Sequence, residues 1–205
     1  MFILLYLLSR AGVLVLQSLL ETHITPAPSK QPTTPLTLED WVFILINTCT
    51  ETLFIEHALE FCGSLTGPSS MWAYWGVSIL GALLLVSLDD IVYTPYHYIL
   101  HKSPVLFMEI HRHHHKIKTP TRGYLDAVNE HPVEMAGALV LTCGVMQVCR
   151  CILTPAAVVM FVTIKAICAI VNHMGRSVVL FGGVLYSSTR HADHHRLLHR
   201  HFGQM

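Results

Sequence analysis

Three groups of histidines lie in order along the chain, and imidazole is a common protein ligand for iron, zinc and copper. The groups read His97-Tyr-Ile-Leu-His101, then His111-Arg-His-His114-His115, then His191-Ala-Asp-His194-His195. Thirteen of the 15 histidines lie at or after His97, so the enrichment is local rather than a property of the whole composition. These groups are the candidate metal-binding residues of the chain.

The spacing within each group is typical of side chains that share one helical face, because residues i, i+3 and i+4 of an α-helix project together. His97 and His101 would lie on one side of a helix that continues the span beginning at Met71. In both HxxHH groups the first, fourth and fifth residues would also project together. His113 would lie about 200° from His111 at 3.6 residues per turn, so we expect it to point elsewhere.

The number of histidines predicts two adjacent metal ions. Eight imidazoles in three groups exceed the ligands that one tetrahedral site needs. The alternative is a solvated histidine-rich surface, or weak metal capture by the run His113-His114-His115. Because that alternative does not account for the repeated HxxHH spacing, we favour a metal site.

The composition indicates a membrane protein. The chain has 205 residues, of which 52% are hydrophobic and 13% are Asp, Glu, Lys or Arg. The apolar residues gather in runs long enough to cross a bilayer core of about 30 Å. The formal net charge is zero and no basic tract is present, so we expect no nucleic-acid partner. None of the six cysteines forms a CxxC motif, which argues against a disulfide framework or a zinc knuckle.

The N-terminal part of the chain has the weakest pattern. Residues 1–20 could be a signal peptide or a first span, and we favour a retained span because Arg10 lies within the apolar run rather than before it. Residues 25–37 contain four prolines and predict an extended linker. Residues 41–61 include three glutamates, which are costly against lipid. A partly buried or interfacial helix therefore fits this segment as well as a span does.

Three apolar runs follow. Residues 71–88 predict a clear span, with Asp89-Asp90 as its polar end. Residues 133–149 and 151–171 predict a helical hairpin, which returns to the side of the membrane that it left. Lys165, inside this hairpin, has no explanation in the pattern.

The hairpin would place all three histidine groups at one face of the membrane. Basic residues flank the groups on this side, which predicts a cytosolic face, since Lys and Arg accumulate in cytoplasmic loops. Nearby aromatic residues would either line a slot for a lipid or form an interfacial belt. These aromatic residues are Tyr93, Tyr96, Tyr98 and Phe107.

The order HxxxH, HxxHH and a late HxxHH in a compact multi-span chain resembles the fatty acid hydroxylase/sterol desaturase superfamily, the membrane histidine-box di-iron oxidases. The resemblance runs from about residue 89 to residue 203. Four further segments contribute to it, namely Thr119-Pro120, His131-Pro132-Val133-Glu134, Asn172-His173-Met174-Gly175 and His199-Arg200-His201-Phe202-Gly203.

The resemblance implies a non-haem centre of two iron ions that activates O2, with zinc able to substitute in purified protein. Carried over to the matching positions, the metal ligands would be His97, His101, His111, His114, His115, His173, His191, His194 and His195. No catalytic residue beyond these ligands is implied. His131 would support the site rather than bind metal, and His199 and His201 would not bind it. Asp193 would either orient a ligand imidazole or be a solvated charge.

The sequence therefore predicts an all-α fold, a multi-span membrane helical bundle with a cytosolic histidine-rich cap that holds a di-metal site. Residues 1–88 would form an N-terminal membrane-anchoring region. Residues 89–205 would form the catalytic domain, which includes the membrane hairpin at 133–171.

The implied function is the O2-dependent hydroxylation or desaturation of a lipid in lipid biosynthesis, at the endoplasmic reticulum. The substrate would be a sterol or a long acyl or sphingoid chain, and residues 128–132 (Val-Asn-Glu-His-Pro) favour the sterol branch. The chain has no GxGxxG motif for a nicotinamide cofactor. Electrons would therefore come from a cytochrome b-type partner, which an NAD(P)H-dependent reductase supplies and which docks near Lys116 and Lys118. The alternatives are a zinc-loaded membrane protein without redox chemistry and a metal-binding but catalytically inactive relative.

The assignment of helical faces makes a direct prediction. Replacing His114 or His194 with Ala should remove bound metal and activity together, whereas replacing His113 should have a much smaller effect. Metal content by mass spectrometry, beside a lipid oxidation assay, would measure both. Equal losses at all three positions would contradict the assignment.

Overall fold

The computed structural model describes residues 2–24, 34–180, 183 and 186–203, so residues 25–33 of the expected proline-rich linker lie outside the described residues. The described chain is mainly helical, with one antiparallel pair of two-residue strands. The elements in chain order are α1 (Phe2–His23), α2 (Leu38–Gly63), α3 (Met71–Lys102), α4 (Pro104–Glu109), a 3-10 helix (His111–Lys116), α5 (Tyr124–Ala127), α6 (Pro132–Val148), a second 3-10 helix (Arg150–Ile152), α7 (Pro155–Asn172), β1 (Val179–Leu180), β2 (Tyr186–Ser187) and α8 (Ser188–Leu197).

Four helices, α1, α2, α3 and α7, are long and apolar enough to cross a membrane. α6 is also apolar but has 17 residues, and the second 3-10 helix joins it to α7 where the hairpin was expected. Large apolar side chains such as Leu80, Leu83 and Val140 are exposed on the helices, which suits contact with lipid rather than with water. The prediction of an all-α, multi-span membrane bundle is confirmed.

α2 forms one continuous helix of 26 residues over the segment that the sequence left ambiguous. It begins with a capping box, in which Thr37 Oγ1 accepts from the Asp40 amide and Asp40 Oδ2 accepts from the Thr37 amide. Glu51, near the middle of α2, accepts from Arg10 Nη1 of α1 at 3.0 Å. This pairing offsets the cost that argued against a span, because a charged side chain within a membrane is tolerated when it has a partner.

Proline decides where three of the helices begin. The pairs Ser103-Pro104, His131-Pro132 and Thr154-Pro155 place proline in the first turn of α4, α6 and α7, where its missing N–H removes no helical hydrogen bond. The residue before each proline has extended backbone angles, as the proline ring favours. The break after α3 turns the chain, so that the second histidine group folds back onto the first.

The main core lies where α3 crosses α7. Leu85 and Phe161 are fully buried there. Gly81 of α3 allows the two backbones to come close, because a Cβ atom at that position would lie 3.1 Å from Ala157 Cβ. Small residues permit this close approach between membrane helices. The crossing fixes the two helices whose C-terminal ends both reach the histidine groups.

Asp89, expected at the polar end of the span, is buried within α3, which continues to Lys102 as the placement of His97 and His101 on the same helix predicted. Lys165 Nζ of α7 donates to Asp89 Oδ2 at 2.6 Å. Thr142 Oγ1 of α6 donates to Asp89 Oδ1 at 2.8 Å, and Lys165 Nζ lies 2.9 Å from the same hydroxyl. This group joins three helices and accounts for Lys165, since charged groups inside a membrane pair with one another.

The buried pair predicts a non-additive effect on stability. Replacing Lys165 with Met should destabilise the protein by about 3–5 kcal/mol, because Asp89 would remain as a buried and unpaired charge. Adding Asp89→Asn should recover most of this loss. Thermal unfolding in detergent would measure both variants, and a double variant no more stable than Lys165→Met would refute the pairing.

Candidate metal centre

The nine candidate ligands come together in two adjacent clusters at the C-terminal ends of α3 and α7. Within each cluster the candidate ligand atoms all lie within 4.8 Å of one another. The first cluster consists of His97, His101, His111, His115 and His194. The second cluster consists of His114, His173, His191 and His195. Residues far apart in the chain therefore meet in the arrangement that metal binding requires.

The two HxxHH motifs are divided between the clusters. His114 belongs to the second cluster although the other two ligands of its motif belong to the first, and His194 crosses in the opposite direction. The sequence analysis expected the first, fourth and fifth residues of each HxxHH motif to project together. That expectation needs correction, because neighbouring residues such as His194 and His195 lie 100° apart on an α-helix. In addition, residues 111–116 form a 3-10 helix rather than the expected α-helix.

Ring nitrogen atoms face the centre of the first cluster. His111 Nε2 lies 2.7 Å from His101 Nε2 and 2.9 Å from His115 Nε2. It also lies 3.1 Å from His97 Nε2. His194 Nε2 completes the group at 3.2 Å from His101 Nε2. The Nε2 atoms of all five rings therefore converge on one small volume.

The second cluster has the same arrangement. His191 Nε2 lies 3.1 Å from His173 Nε2 and 3.1 Å from His195 Nε2. The ring of His114 packs against the ring of His195, with centroids 4.6 Å apart. The two clusters touch through the rings of His115 and His195, whose centroids are 4.8 Å apart. Two metal ions held here would be neighbours.

Five of the ligands hydrogen-bond an oxygen atom through Nδ1, the nitrogen that faces away from the cluster. The pairs are His97 with Phe202 O (2.8 Å), His111 with Glu134 Oε1 (2.7 Å), His173 with Ala169 O (2.8 Å), His194 with Arg200 O (2.8 Å) and His195 with Ile117 O (3.1 Å). A carbonyl oxygen only accepts, so in four of these rings Nδ1 carries the hydrogen and Nε2 keeps the lone pair of a neutral ring; an ionised Glu134 carboxylate accepts from His111 in the same way. The lone pairs therefore point into the clusters, as in metal-bound histidine.

The contact between His97 and His111 tests whether the clusters fit a cation. Both rings donate through Nδ1, so two Nε2 lone pairs face each other across 3.1 Å without a hydrogen atom between them. Such a contact is repulsive unless a positive ion accepts both lone pairs. Imidazole nitrogen is a donor that suits iron, zinc and copper. The chemistry of the donor set therefore fits a bound metal.

Burial keeps the rings in the form that binds metal. Loss of hydration lowers the pKa of His114, His191 and His195 well below the usual range of histidine, and neighbouring histidines lower it further. Burial likewise lowers the pKa of His194 to about 4. Near neutral pH these imidazoles are uncharged, and the uncharged ring is the metal ligand.

Glu134 is a fully buried carboxylate beside the first cluster. Its Oε1 accepts from His111 Nδ1 at 2.7 Å, while Oε2 has no hydrogen-bond partner in the described structure. Asn47 of α2 donates to two backbone carbonyls just before α6, which holds the turn that leads to Glu134. A carboxylate behind a ligand imidazole orients the ring and raises its basicity. The sequence pattern pointed to the segment that contains Glu134 but not to this role.

The tail after α8 closes over the first cluster. Leu198 and His201 have φ angles of 61° and 57°, a conformation that is uncommon outside glycine. These turns place the carbonyl groups of Arg200 and Phe202 where they accept hydrogen bonds from His194 and His97, respectively. The Phe202 ring also covers His101, with ring centroids 5.1 Å apart. The tail thus supplies both hydrogen-bond acceptors and a shield from water.

His113 lies outside both clusters. Its side chain points away from the metal ligands, as the sequence predicted. Its Nε2 lies 3.1 Å from Asp40 Oδ1 and 3.0 Å from Asn129 Oδ1. Lys116 Nζ donates to the same Asp40 carboxylate at 3.2 Å. This polar group ties the second histidine motif to the start of α2, so His113 and Lys116 both have structural contacts.

Four other polar residues that the sequence analysis considered also lie outside the clusters. His131 caps α6 by accepting from the amide of Val133 at 3.2 Å. Asp193 pairs with Arg196 on the surface, which matches the solvated-charge alternative. His199 and His201 are exposed.

A largely apolar cavity lies beside the clusters, among the membrane helices. It encloses an empty volume of about 1270 Å³, including its open mouth, and is lined from α1, α2, α3, α6 and α7. His97, His114, His173 and His191 lie in its wall, as does Tyr93. Cavities of this kind hold apolar ligands in proteins. The cavity gives such a ligand direct access to both clusters.

The position of Glu134 predicts an effect on metal affinity. Replacing Glu134 with Ala should weaken metal binding roughly 10- to 100-fold, because His111 would lose the acceptor that orients it. Competition with a chelator would measure the change. Asp193→Asn is the matched control, since that carboxylate faces solvent and should leave the affinity unchanged. Equal affinities of the Glu134→Ala variant and the unaltered protein would exclude this role.

Comparison with known proteins places these features in a family. A family model described as fatty acid hydroxylase matches residues 82–205, more than half of the chain, and the match includes every member of both clusters. No curated protein and no solved structure matches the chain significantly. The division of the chain into an anchoring region at residues 1–88 and a catalytic domain at residues 89–205 stays a prediction. The chain belongs to the fatty acid hydroxylase family, within the fatty acid hydroxylase/sterol desaturase superfamily.

Proposed function

We propose that this protein is a membrane-bound, O2-dependent hydroxylase or desaturase of a lipid, with two iron ions as its cofactor. One observation carries the proposal, namely that two adjacent clusters of buried, neutral imidazoles form part of the wall of an apolar cavity between membrane helices. The cavity offers a place for a lipid chain, and the clusters offer a place for the metal. The family to which the chain belongs supports the same reaction class.

The reaction class follows from the groups that the site contains. Oxidation of an unactivated C–H bond is beyond any amino-acid side chain, and iron would supply the activation of O2 that this step needs. The protein would hold iron through the nine clustered histidines, with Glu134 orienting His111. Phe202 would exclude water from the first cluster by covering His101.

The cavity would position the substrate. Its apolar wall would hold the hydrocarbon part of the lipid, and His97, His114, His173 and His191 would bring the metal next to one of its carbon atoms. The substrate would enter from the bilayer, because the cavity lies among the spanning helices. A sterol and a long acyl or sphingoid chain are the candidate substrates, and both suit a largely apolar cavity.

Electrons would come from a separate protein, a cytochrome b-type donor served by an NAD(P)H-dependent reductase. The histidine clusters would face the cytosol, at the endoplasmic reticulum, where basic residues near the clusters could contact the donor. Arg112 and Lys118 are exposed on this side. Lys116 contributes less to this surface than expected, because it hydrogen-bonds Asp40.

The proposal is tested by lipid analysis. Cells that express the unaltered protein, with a matching reductase system, should accumulate a lipid that has gained one oxygen atom or lost two hydrogen atoms. His194→Ala should abolish this product, because the variant removes a ligand of the first cluster. His199→Ala should leave the product unchanged, since that histidine is exposed and outside both clusters.

The outcomes separate the proposal from its alternatives. A product that depends on His194 supports the proposed oxidation. Stoichiometric metal in purified protein without any lipid product would refute it and would indicate a metal-binding relative that does not turn over.

A further inference from the structure

Lys165 is a charged residue in the wall of the cavity, within the membrane-spanning helix α7. An ammonium group has three N–H donors, and two of them are directed to Asp89 Oδ2 and Thr142 Oγ1. The Lys165 side chain is 23% exposed, whereas that of its partner Asp89 is 5% exposed. The exposed part of the lysine therefore meets the cavity, where an oxygen atom of a ligand could accept its third N–H.

Away from the histidine clusters, the charged side chains in the cavity wall are held in ion pairs. Lys165 is paired with Asp89, and Arg10 is paired with Glu51. Burial, with Glu51 nearby, raises the pKa of Glu130 to about 8, so this side chain is mainly uncharged near neutral pH. At the Lys165 end of the cavity, a carboxylate or phosphate group would add an unpaired negative charge beside an ion pair that is already balanced, which is costly. A neutral hydroxyl group would add none.

We propose that Lys165 binds the hydroxyl oxygen of a neutral, alcohol-bearing lipid and so sets which lipids the cavity accepts. The inference rests on the proposed function, because it takes the ligand of the cavity to be the lipid substrate. Lys165 donates to the hydroxyl, while Asp89 and Thr142 hold the ammonium group in place. A free fatty acid is disfavoured by its charge, and a plain hydrocarbon lacks the group that Lys165 recognises.

Lys165 lies at a defined depth below the clusters. Lys165 precedes His173 by eight residues in α7, and Asp89 precedes His97 by eight residues in α3. Eight residues of α-helix span about 12 Å. The two helices therefore give the same distance between the hydroxyl anchor and the clusters. Measured along the helix axes, the residues that would anchor the hydroxyl group therefore lie about 12 Å from the residues that would bind the metal.

A purely structural role would not require a charged lysine in the wall of the cavity. Asp89, Lys165 and Thr142 do join three helices, but a buried ion pair is often no more stabilising than apolar residues of the same volume. Because stability alone does not explain the pair, its position beside a cavity inside the membrane makes it a candidate functional site. The test must therefore measure ligand preference and not stability alone.

The preference is measured by competition binding without turnover. Protein in lipid nanodiscs is loaded with tritiated cholesterol or tritiated hexadecan-1-ol. Against tritiated cholesterol, the competitors are unlabelled cholesterol and cholest-5-ene, which lacks the hydroxyl group. Against tritiated hexadecan-1-ol, the competitors are unlabelled hexadecan-1-ol, hexadecanoate and hexadecane. At least one alcohol should compete about tenfold or more better than its counterparts, the size expected for a hydrogen bond to a charged group.

Two variants identify Lys165 as the source of the preference. The double variant Asp89→Asn with Lys165→Met keeps the site neutral and should reduce the preference to less than about twofold. Lys165→Arg keeps the positive charge and the N–H donors, so the preference should persist. The unaltered protein alone also tests the proposal, should the double variant fail to fold.

Each outcome has a definite meaning. If the unaltered protein does not prefer either alcohol, or if the double variant keeps the preference, the role of Lys165 is refuted. Because no turnover is involved, the result is separate from that of the proposed oxidation. His194→Ala should lose oxidation but keep the alcohol preference, whereas the double variant should lose the preference but keep its bound metal.

Discussion

Nine imidazole rings must direct unprotonated nitrogen atoms toward one another in a buried site, and the rest of the structure depends on this constraint. His97 Nε2 and His111 Nε2 are 3.1 Å apart, and both rings are committed to donate through Nδ1. Their lone pairs repel each other unless a cation lies between the rings and accepts both. The protein holds five of the nine rings from behind, through acceptors that include Glu134, the tail and the end of α7.

The membrane helices provide the rigid frame for these rings. α3 and α7 cross at Gly81 and Ala157, are joined again by Asp89 and Lys165, and then end at the clusters. The same helices enclose the apolar cavity, so the frame that fixes the ligands would also fix the place of the proposed lipid relative to them. Because α3 and α7 carry both the clusters and part of the cavity wall, helix length would set the distance between the metal and the lipid.

Much of this arrangement could be predicted from local sequence. The HxxxH and HxxHH spacings identified eight of the nine histidines that meet, and the family resemblance supplied His173. Proline and apolar runs identified most helices. Other features depend on partners far apart in the chain. Asp89 looked like the end of a span because its partner Lys165 lies 76 residues away. The division of each motif between two clusters, and the carbonyl groups that fix the tautomers, follow from tertiary packing that residue spacing does not encode.

The measurement that tests the central claim most directly is the metal content of the folded protein, purified in mild detergent and counted by mass spectrometry. Two clusters of neutral imidazoles predict about two metal ions per chain, as iron or as zinc that has replaced it during expression. A well-folded protein that binds no metal, or only one ion for the two clusters together, would contradict the account.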